Sequence, residues 1–168
     1  VSAFEHARAL GEFLRTRPDL LRYLDRFTGD RDLAEDIVQE TWVRMREQPP
    51  ADGGALRGWL FRVATNLARD HARQTRLRTA LLAGAQDRLP QRAPPPDPLD
   101  AAEQADRRGR VREALAVLSE KERTAVLMRE EGFSHREIAA AVETTTASVG
   151  WLLARALAKL AARLGPEE

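Results

Sequence analysis

Asp36 and Glu40 stand four residues apart in "DRDLAEDIVQE", a spacing that stacks two carboxylates one turn apart on a helix. Paired carboxylates serve as general acid and base or hold a metal. Ser134 and His135, adjacent in "GFSHRE", suggest an activated nucleophile. Neither pair has the further group its chemistry needs. No histidine accompanies the carboxylates, and no third residue is evident to orient His135. His6, His71 and His135 are scattered, cysteine is absent, and "GFSHRE" does not match a phosphate loop. The expectation is a binding protein rather than an enzyme, with no metal, cofactor or small-molecule substrate.

Binding chemistry is concentrated elsewhere. "NLARDHARQTRLR", residues 66–78, holds four arginines and one histidine against one aspartate. Arg62, Arg69, Arg73 and Arg76 follow at steps of seven, four and three, so they share one helix face. Asn66 lies on that face, and Trp59 and Phe61 are just upstream. Cations along a groove, with aromatic surfaces for bases, are how single strands are held. A solvated helix that happens to be basic is the competing reading. Trp59 lies near the apolar stripe and reads as core before base stacking; Phe61 is less aligned with the stripe and is a candidate for a base pocket. Asp70 and Arg73 also read as a structural ion pair.

The net charge of +1 conceals a segregation. Residues 29–52 contain seven acids and three arginines, residues 54–78 six arginines and one acid, and residues 100–168 eleven basic and twelve acidic groups. Neighbouring blocks of opposite sign point to separate binding faces with different partners. The lack of cysteine fits a reducing compartment. "VSAFEHARALGEF" lacks the apolar run of a signal peptide, and no stretch approaches the roughly 20 apolar residues of a membrane span. A cytoplasmic protein without membrane insertion is expected.

The elements that must position these groups are helical throughout. A first stretch runs from about Ser2 to Arg15, Pro18 marks a restart, and "DLLRYLDRFTG" stops at Gly29. Asp30 or Asp32 caps a second helix whose stripe is Ala34, Ile37, Val38, Thr41, Trp42 and Met45. A third helix, striped at Leu56, Leu60, Val63 and Leu67, extends to about Leu82. Residues 83–97, "AGAQDRLPQRAPPPD", lose the apolar rhythm and read as a linker. A helix restarts after it with Asp97 as cap and Pro98 in the first turn. "SEKE" (Ser119 to Glu122) and "SHRE" (Ser134 to Glu137) are capping boxes, and Gly132 ends the helix begun by the first. A short helix, "HREIAAAV", a turn and a final helix ending at Gly165 form a helix-turn-helix pattern. The expected fold class is all-α: two small helical domains, a bundle at 1–82 and a helix-turn-helix at 98–168, joined by a flexible linker at 83–97.

"LLRYLDRFTGDRDLAEDIVQETWVRMREQ", "LRGWLFRVATNLARDHARQTRLR", a proline-containing linker, and "LAVLSEKERTAVLMREEGFSHREIAAAVETTTASVGWLLARALAKL" together resemble an extracytoplasmic-function sigma factor of the sigma-70 family. The resemblance covers nearly the whole chain in the family's order, region two, linker, region four. It implies an alternative sigma factor that binds core RNA polymerase through its beta and beta-prime subunits and recognises promoter DNA, with an anti-sigma factor as a further partner. By resemblance, Asp36, Gln39, Glu40 and Arg44 dock on the beta-prime clamp, with Trp42 in the core. Phe61, Arg62, Asn66, Arg69, Arg73 and Arg76 fall where region two opens and holds the minus-ten strand. Ser134, Arg136, Thr145, Thr146, Ser148, Trp151, Arg155 and Lys159 fall where region four meets the minus-thirty-five element.

Region four departs from the family's commoner pattern. Gly150, Trp151 and Leu152 stand where polar contacts are expected, and Arg155, Lys159 and Arg163 are the final helix's only cations. Glu143 stands where a glycine often ends the short helix, so a left-handed residue there costs on the order of 1 kcal/mol. Readout through phosphates, hydroxyls and DNA shape is one consequence; an exposed Trp151–Leu152 docking patch is another. A sigma-like decoy that binds polymerase or an anti-sigma factor without productive promoter recognition is the alternative function.

Overall fold

Phe13, Leu20, Leu24 and Phe27 recur at steps of seven, four and three straight across Pro18, and all four are buried. A computed structural model describes residues 3–50, 56–82 and 100–165, with side chains of 7–50, 56–82 and 106–165. In it α1 runs unbroken from Ala3 to Thr28 with Pro18 inside the helix, which corrects the expected restart. Proline removes the N–H that would bond the Leu14 carbonyl, at a cost of about 3 kcal/mol in a helix interior. Leu14 is exposed, so water can take that carbonyl, while the buried stripe on either side keeps one axis.

Gly29, at φ +71°, turns the chain, and Asp30 caps α2 (Arg31–Glu47) by accepting from the Leu33 N–H at 3.1 Å. The α2 stripe is as expected: Ala34, Ile37, Val38, Thr41 and Met45 are buried. Trp42 is half-buried, its ring 4.8 Å from Phe13. α3 spans Leu56–Leu82, and its buried face is wider than the expected stripe. Leu56, Leu60, Phe61, Ala64, Thr65 and Ala68 are buried, while Val63 and Leu67 are half-buried. The reason is that α3 is covered from two sides, by α1 and α2 and also by the C-terminal module. At the centre, Tyr23 and Thr65 share a hydrogen bond of 2.8 Å. Burial, only partly offset by that bond and by nearby Arg69, pushes the Tyr23 hydroxyl up to about 12.

The expected linker, with Asp97 and Pro98, lies outside the described residues. α4 (Asp100–Ala116) leads into α5 (Glu120–Glu130), α6 (His135–Val142) and α7 (Thr146–Leu164). Both capping boxes form, Ser119 with Glu122 and Ser134 with Glu137. At the end of α5, Gly132 takes φ +84° and the Phe133 N–H closes on the Met128 carbonyl at 3.1 Å. The same closure ends α6, where the Thr144 N–H reaches the Ala139 carbonyl at 3.0 Å. There the left-handed residue is Glu143, at φ 54° and ψ 60°, as the sequence predicted. Ile138, Val142, Val149 and Ala156 are fully or nearly fully buried where α5, α6 and α7 meet.

The two modules touch. α5 lies on α1 and α6 on α3, and Phe61 meets the edge of Phe133 with ring centroids 4.7 Å apart. The apolar core therefore runs from one module into the other.

Candidate polymerase and nucleic-acid interfaces

α2 presents the acidic face. Because Ile37, Val38, Thr41 and Met45 point inward, Asp36, Gln39, Glu40 and Arg44 are all exposed on the opposite side. Arg44 donates to Glu40 at 3.1 Å, one turn away. Such an exposed pair contributes only a few tenths of a kcal/mol, so the face is available to a partner without costing the fold. Among the described residues no group of three or more histidines and acids is placed to hold a metal.

The basic face of α3 is divided. Arg62, Asn66, Arg73 and Arg76 are exposed. Arg73 faces Asp70 at 3.7 Å with both side chains mostly in water, and Arg76 turns back to the Ala72 carbonyl at 3.2 Å. Arg69 does not stay with them. It is 14% exposed and sits against the C-terminal module, with Nε 2.8 Å from Glu120, Nη2 donating to Thr124 at 3.2 Å and Nη1 to the Ala141 carbonyl at 3.3 Å. Phe61 is fully buried between Tyr23 and Phe133. Trp59 is half-buried against the core.

On the helix-turn-helix, most of the expected hydroxyls are already engaged. Ser134 accepts from the Glu137 N–H, and Thr145 caps α7 by accepting from the Ser148 N–H at 3.2 Å while sharing a 2.7 Å bond with the Ser148 hydroxyl. In return the Ser134 N–H and hydroxyl donate to the Glu137 carboxylate at 2.9 and 2.8 Å, and these two bonds, with the positive charge of Arg57, outweigh burial and hold that carboxyl below its ordinary range. Arg136 and Thr146 are exposed. Trp151 is 64% exposed with the Arg155 guanidinium 5.3 Å from its ring centre. Leu152 packs against the core, so the expected apolar patch reduces to Trp151.

Sequence reasoning missed Glu122. Its side chain is 1% exposed, with Arg155 at 3.0 Å and Lys159 at 2.8 Å. Burial raises its pKa, but hydrogen bonds from Lys159 and from Ser119 outweigh burial, and the carboxyl stays ionised below its usual range. The expected phosphate-binding cations of α7 are thus tied to an internal anion. Also missed were Arg22, Arg57 and Arg123. Arg57 donates to the Glu131 carbonyl at 2.9 Å and lies 4.3 Å from the Phe133 ring centre and 5.1 Å from that of Phe61. Arg123 reaches the Phe27 carbonyl at 3.3 Å. The capping motif was the only sequence signal at Glu122, and it reports the cap, not the cations from α7.

An exposed acidic face, a basic helix beside it and a helix-turn-helix are the parts of a transcription initiation protein. Family models agree: residues 13–78 match sigma-70 region 2 and residues 108–160 match sigma-70 region 4. The ECF RNA polymerase sigma factor SigL of Mycobacterium tuberculosis is 38% identical over 125 residues, covering 71% of this chain and 68% of the relative. The RNA polymerase sigma-E factor of Streptomyces coelicolor is 32% identical over 154 residues, covering 89% and 82%. Among solved structures, the sigma factor RpoE in complex with the anti-sigma factor NepR from Bartonella quintana has the same fold, with a TM-score of 0.69 at 23% identity over 94% of this chain and 97% of that one. CnrH, solved in complex with the cytosolic domain of CnrY, gives a TM-score of 0.64 at 23% identity over 93% and 86%. The chain belongs to the extracytoplasmic-function (ECF) sigma factors of the sigma-70 family. It is an alternative sigma factor for transcription initiation, in a family that is generally not enzymatic.

Proposed function

We propose that the chain, in the cytoplasm and with no chemistry of its own, brings core RNA polymerase to a subset of promoters through three separate surfaces. The α2 face of Asp36, Gln39, Glu40 and Arg44 docks on the beta-prime clamp. The α3 face of Arg62, Asn66, Arg73 and Arg76, with Arg69 and Phe61, takes the minus-ten strand. Arg136, Thr146 and the start of α7 meet the minus-thirty-five element. The domain limits 1–82 and 98–168 accompany this assignment. The observation that carries it is the α2 face, four polar residues exposed together on a helix whose other side is core. Reversing Asp36 and Glu40 to lysine is expected to weaken core binding at least tenfold in a pull-down while the circular dichroism spectrum stays unchanged. Unchanged core binding overturns the docking assignment.

An anti-sigma factor is proposed as a regulatory partner, supported by the anti-sigma complex of the Bartonella relative. The decoy reading draws on one observation, the neutralisation of Arg155 and Lys159 by Glu122. Run-off transcription with purified core polymerase on selected promoters separates the two, because a decoy yields no transcript.

A further inference from the structure

A cleft of about 370 Å³ opens where the end of α1, the turn at Gly29 and the start of α2 face α4. Arginine dominates its wall: Arg22 and Arg26 come from α1, Arg31 from α2, and Arg107, Arg108 and Arg112 from α4. Among the described residues Asp25 is the one acid of the wall, 4.0 Å from Arg31. The α1 and α2 cations have carboxylates of their own outside the cleft. Arg22 pairs with Glu131 at 2.7 Å, Arg26 with Glu130, and Arg31 with Glu35 at 3.1 Å. On α4, Arg110 pairs with Asp106, whereas Arg107, Arg108 and Arg112 meet no carboxylate among the described residues. Packing does not call for cations here. Ala114 and Leu115 bury α4, and the three arginines before them are exposed. Gly29 does make room for one of them: a Cβ at Gly29 would stand 3.2 Å from the Arg112 Cδ and Nε. The glycine that the left-handed turn requires, at φ +71°, therefore also lets Arg112 lie against the turn.

We propose that this cleft binds an oligophosphate, a short chain of phosphates that is either inorganic or carried by a nucleoside. The site shares no residue with the DNA contacts proposed for α3 and α7. Its volume is in the range of small-molecule sites, but a wall of guanidiniums suits a multiply charged anion and not an apolar ligand. Each guanidinium has five N–H donors in a fork that matches phosphate oxygens. Arg22 uses Nε and Nη2 on Glu131 and Asp19, and its Nη1 donates to no group among the described residues. A phosphate chain packs its charges closer together than an acidic peptide does, and so meets converging cations from three helices at once. Duplex DNA carries its phosphates on a convex surface, which a concave wall does not follow. A ligand held from both sides ties α4 to the corner between α1 and α2, so binding stabilises this arrangement by mass action.

Calorimetric titration of the full chain tests the site, with sodium tripolyphosphate, ATP, sodium sulfate at matched ionic strength, and a DNA duplex of about 10 base pairs, one helical turn. The variant Arg107→Gln, Arg108→Gln, Arg112→Gln removes the α4 cations. A control, Arg8→Gln, Arg17→Gln, Arg46→Gln, removes equal charge from exposed positions that do not line the cleft. One tripolyphosphate per chain is expected to bind, and to raise the urea midpoint. Its affinity should fall about tenfold or more in the α4 variant, which lacks three charge-assisted contacts. The fall in the control should be less than about twofold, because distant exposed charges are screened. Arg107→Gln with Arg108→Gln keeps the Arg112 contact with Gly29, and its intermediate loss decides the matter if circular dichroism shows the triple variant unfolded. Tighter binding of ATP makes a nucleotide the ligand and tighter binding of tripolyphosphate an inorganic chain; both uphold the site. Equal losses in the α4 variant and the control overturn it, as does sulfate binding as well as tripolyphosphate. A duplex that displaces tripolyphosphate through the same three arginines also overturns it, and makes the cleft part of a nucleic-acid surface.

Discussion

α3 and α7 are both long helices proposed to meet DNA, and they treat their cations in opposite ways. Arg73 of α3 is 78% exposed and pairs only loosely with Asp70. Arg155 and Lys159 of α7 converge on Glu122, an anion at 1% exposure between α5 and α7. One helix displays charge, whereas the other uses charge to fasten itself to its neighbour. The number of basic residues on a helix therefore does not equal the number available to phosphates. A buried carboxylate beneath a helix converts that helix's cations into packing residues that are only partly free for a partner.

The largest effect that would sharpen this contrast comes from α3. Replacing Arg73 and Arg76 with alanine is expected to reduce open-complex formation by roughly tenfold at moderate salt. The log–log salt dependence should flatten by about 1.4, two contacts at roughly 0.7 each on a single strand. Thermal stability should be unchanged, because neither side chain is buried. Permanganate footprinting across a salt series reads the first two effects and circular dichroism the third. Melting equal to wild type at every salt would return α3 to a merely solvated helix.

The matching change in α7 should act on stability instead. Glu122→Gln removes the anion that Arg155 and Lys159 share and is expected to cost about 1–3 kcal/mol. The loss stays below the larger penalty of a fully buried broken pair because both cations are partly exposed and can turn to water. The midpoint of urea unfolding should fall with little change in slope. The released cations should at the same time strengthen non-specific DNA binding. A variant as stable as wild type would show that Glu122 does not fasten α7.

Acid should discriminate the modules in the same sense. Glu122 and Glu137 have pKa values held below the unfolded carboxylate value. Groups depressed in the folded state contribute stability above the unfolded pKa, near 4.3 for glutamate, and lose it as pH falls through the folded pKa. Both residues are in region four, so its unfolding midpoint should drop between about pH 5 and pH 3 by more than that of region two. Hydrogen exchange followed segment by segment across that range measures the difference, and an equal loss in both regions would break the contrast.

How much of this was readable beforehand depends on where the information lies. Helix ends were legible because local chemistry writes them: Ser119, Ser134 and Gly132 act on amides and carbonyls within five residues of themselves. The exposed α2 face was legible from its stripe. Pro18 was misread because local rules favour a break there, while the stripe on both sides, a tertiary effect, overrides them. The positions of Phe61 and Arg69 were not legible, since they depend on partners such as Phe133, Glu120 and Ala141, some 50 or more residues away. A basic residue on a helix reads alike whether it will meet a phosphate or a carboxylate of its own chain.

The smallest effect concerns the turn that sets α7 against α6. Glu143 occupies the left-handed region at φ 54°, where a side chain costs on the order of 1 kcal/mol and glycine costs nothing sterically. Its exposed side chain makes no hydrogen bond among the described residues; its backbone serves instead, the N–H donating to the Ala139 carbonyl and the carbonyl accepting from Lys121 at 3.4 Å. Glu143→Gly keeps that carbonyl and relieves the strain. Against this, glycine gains freedom in the unfolded chain worth roughly 0.5–1 kcal/mol. The net gain is expected to be positive but below about 1 kcal/mol, a rise of a few degrees in the unfolding temperature. Glu143→Asn tolerates the left-handed region with less unfolded-state freedom than glycine, so it should stabilise at least as much if strain is the cause. If both variants are less stable than wild type, the Glu143 side chain has a role in the turn that its backbone angle does not reveal.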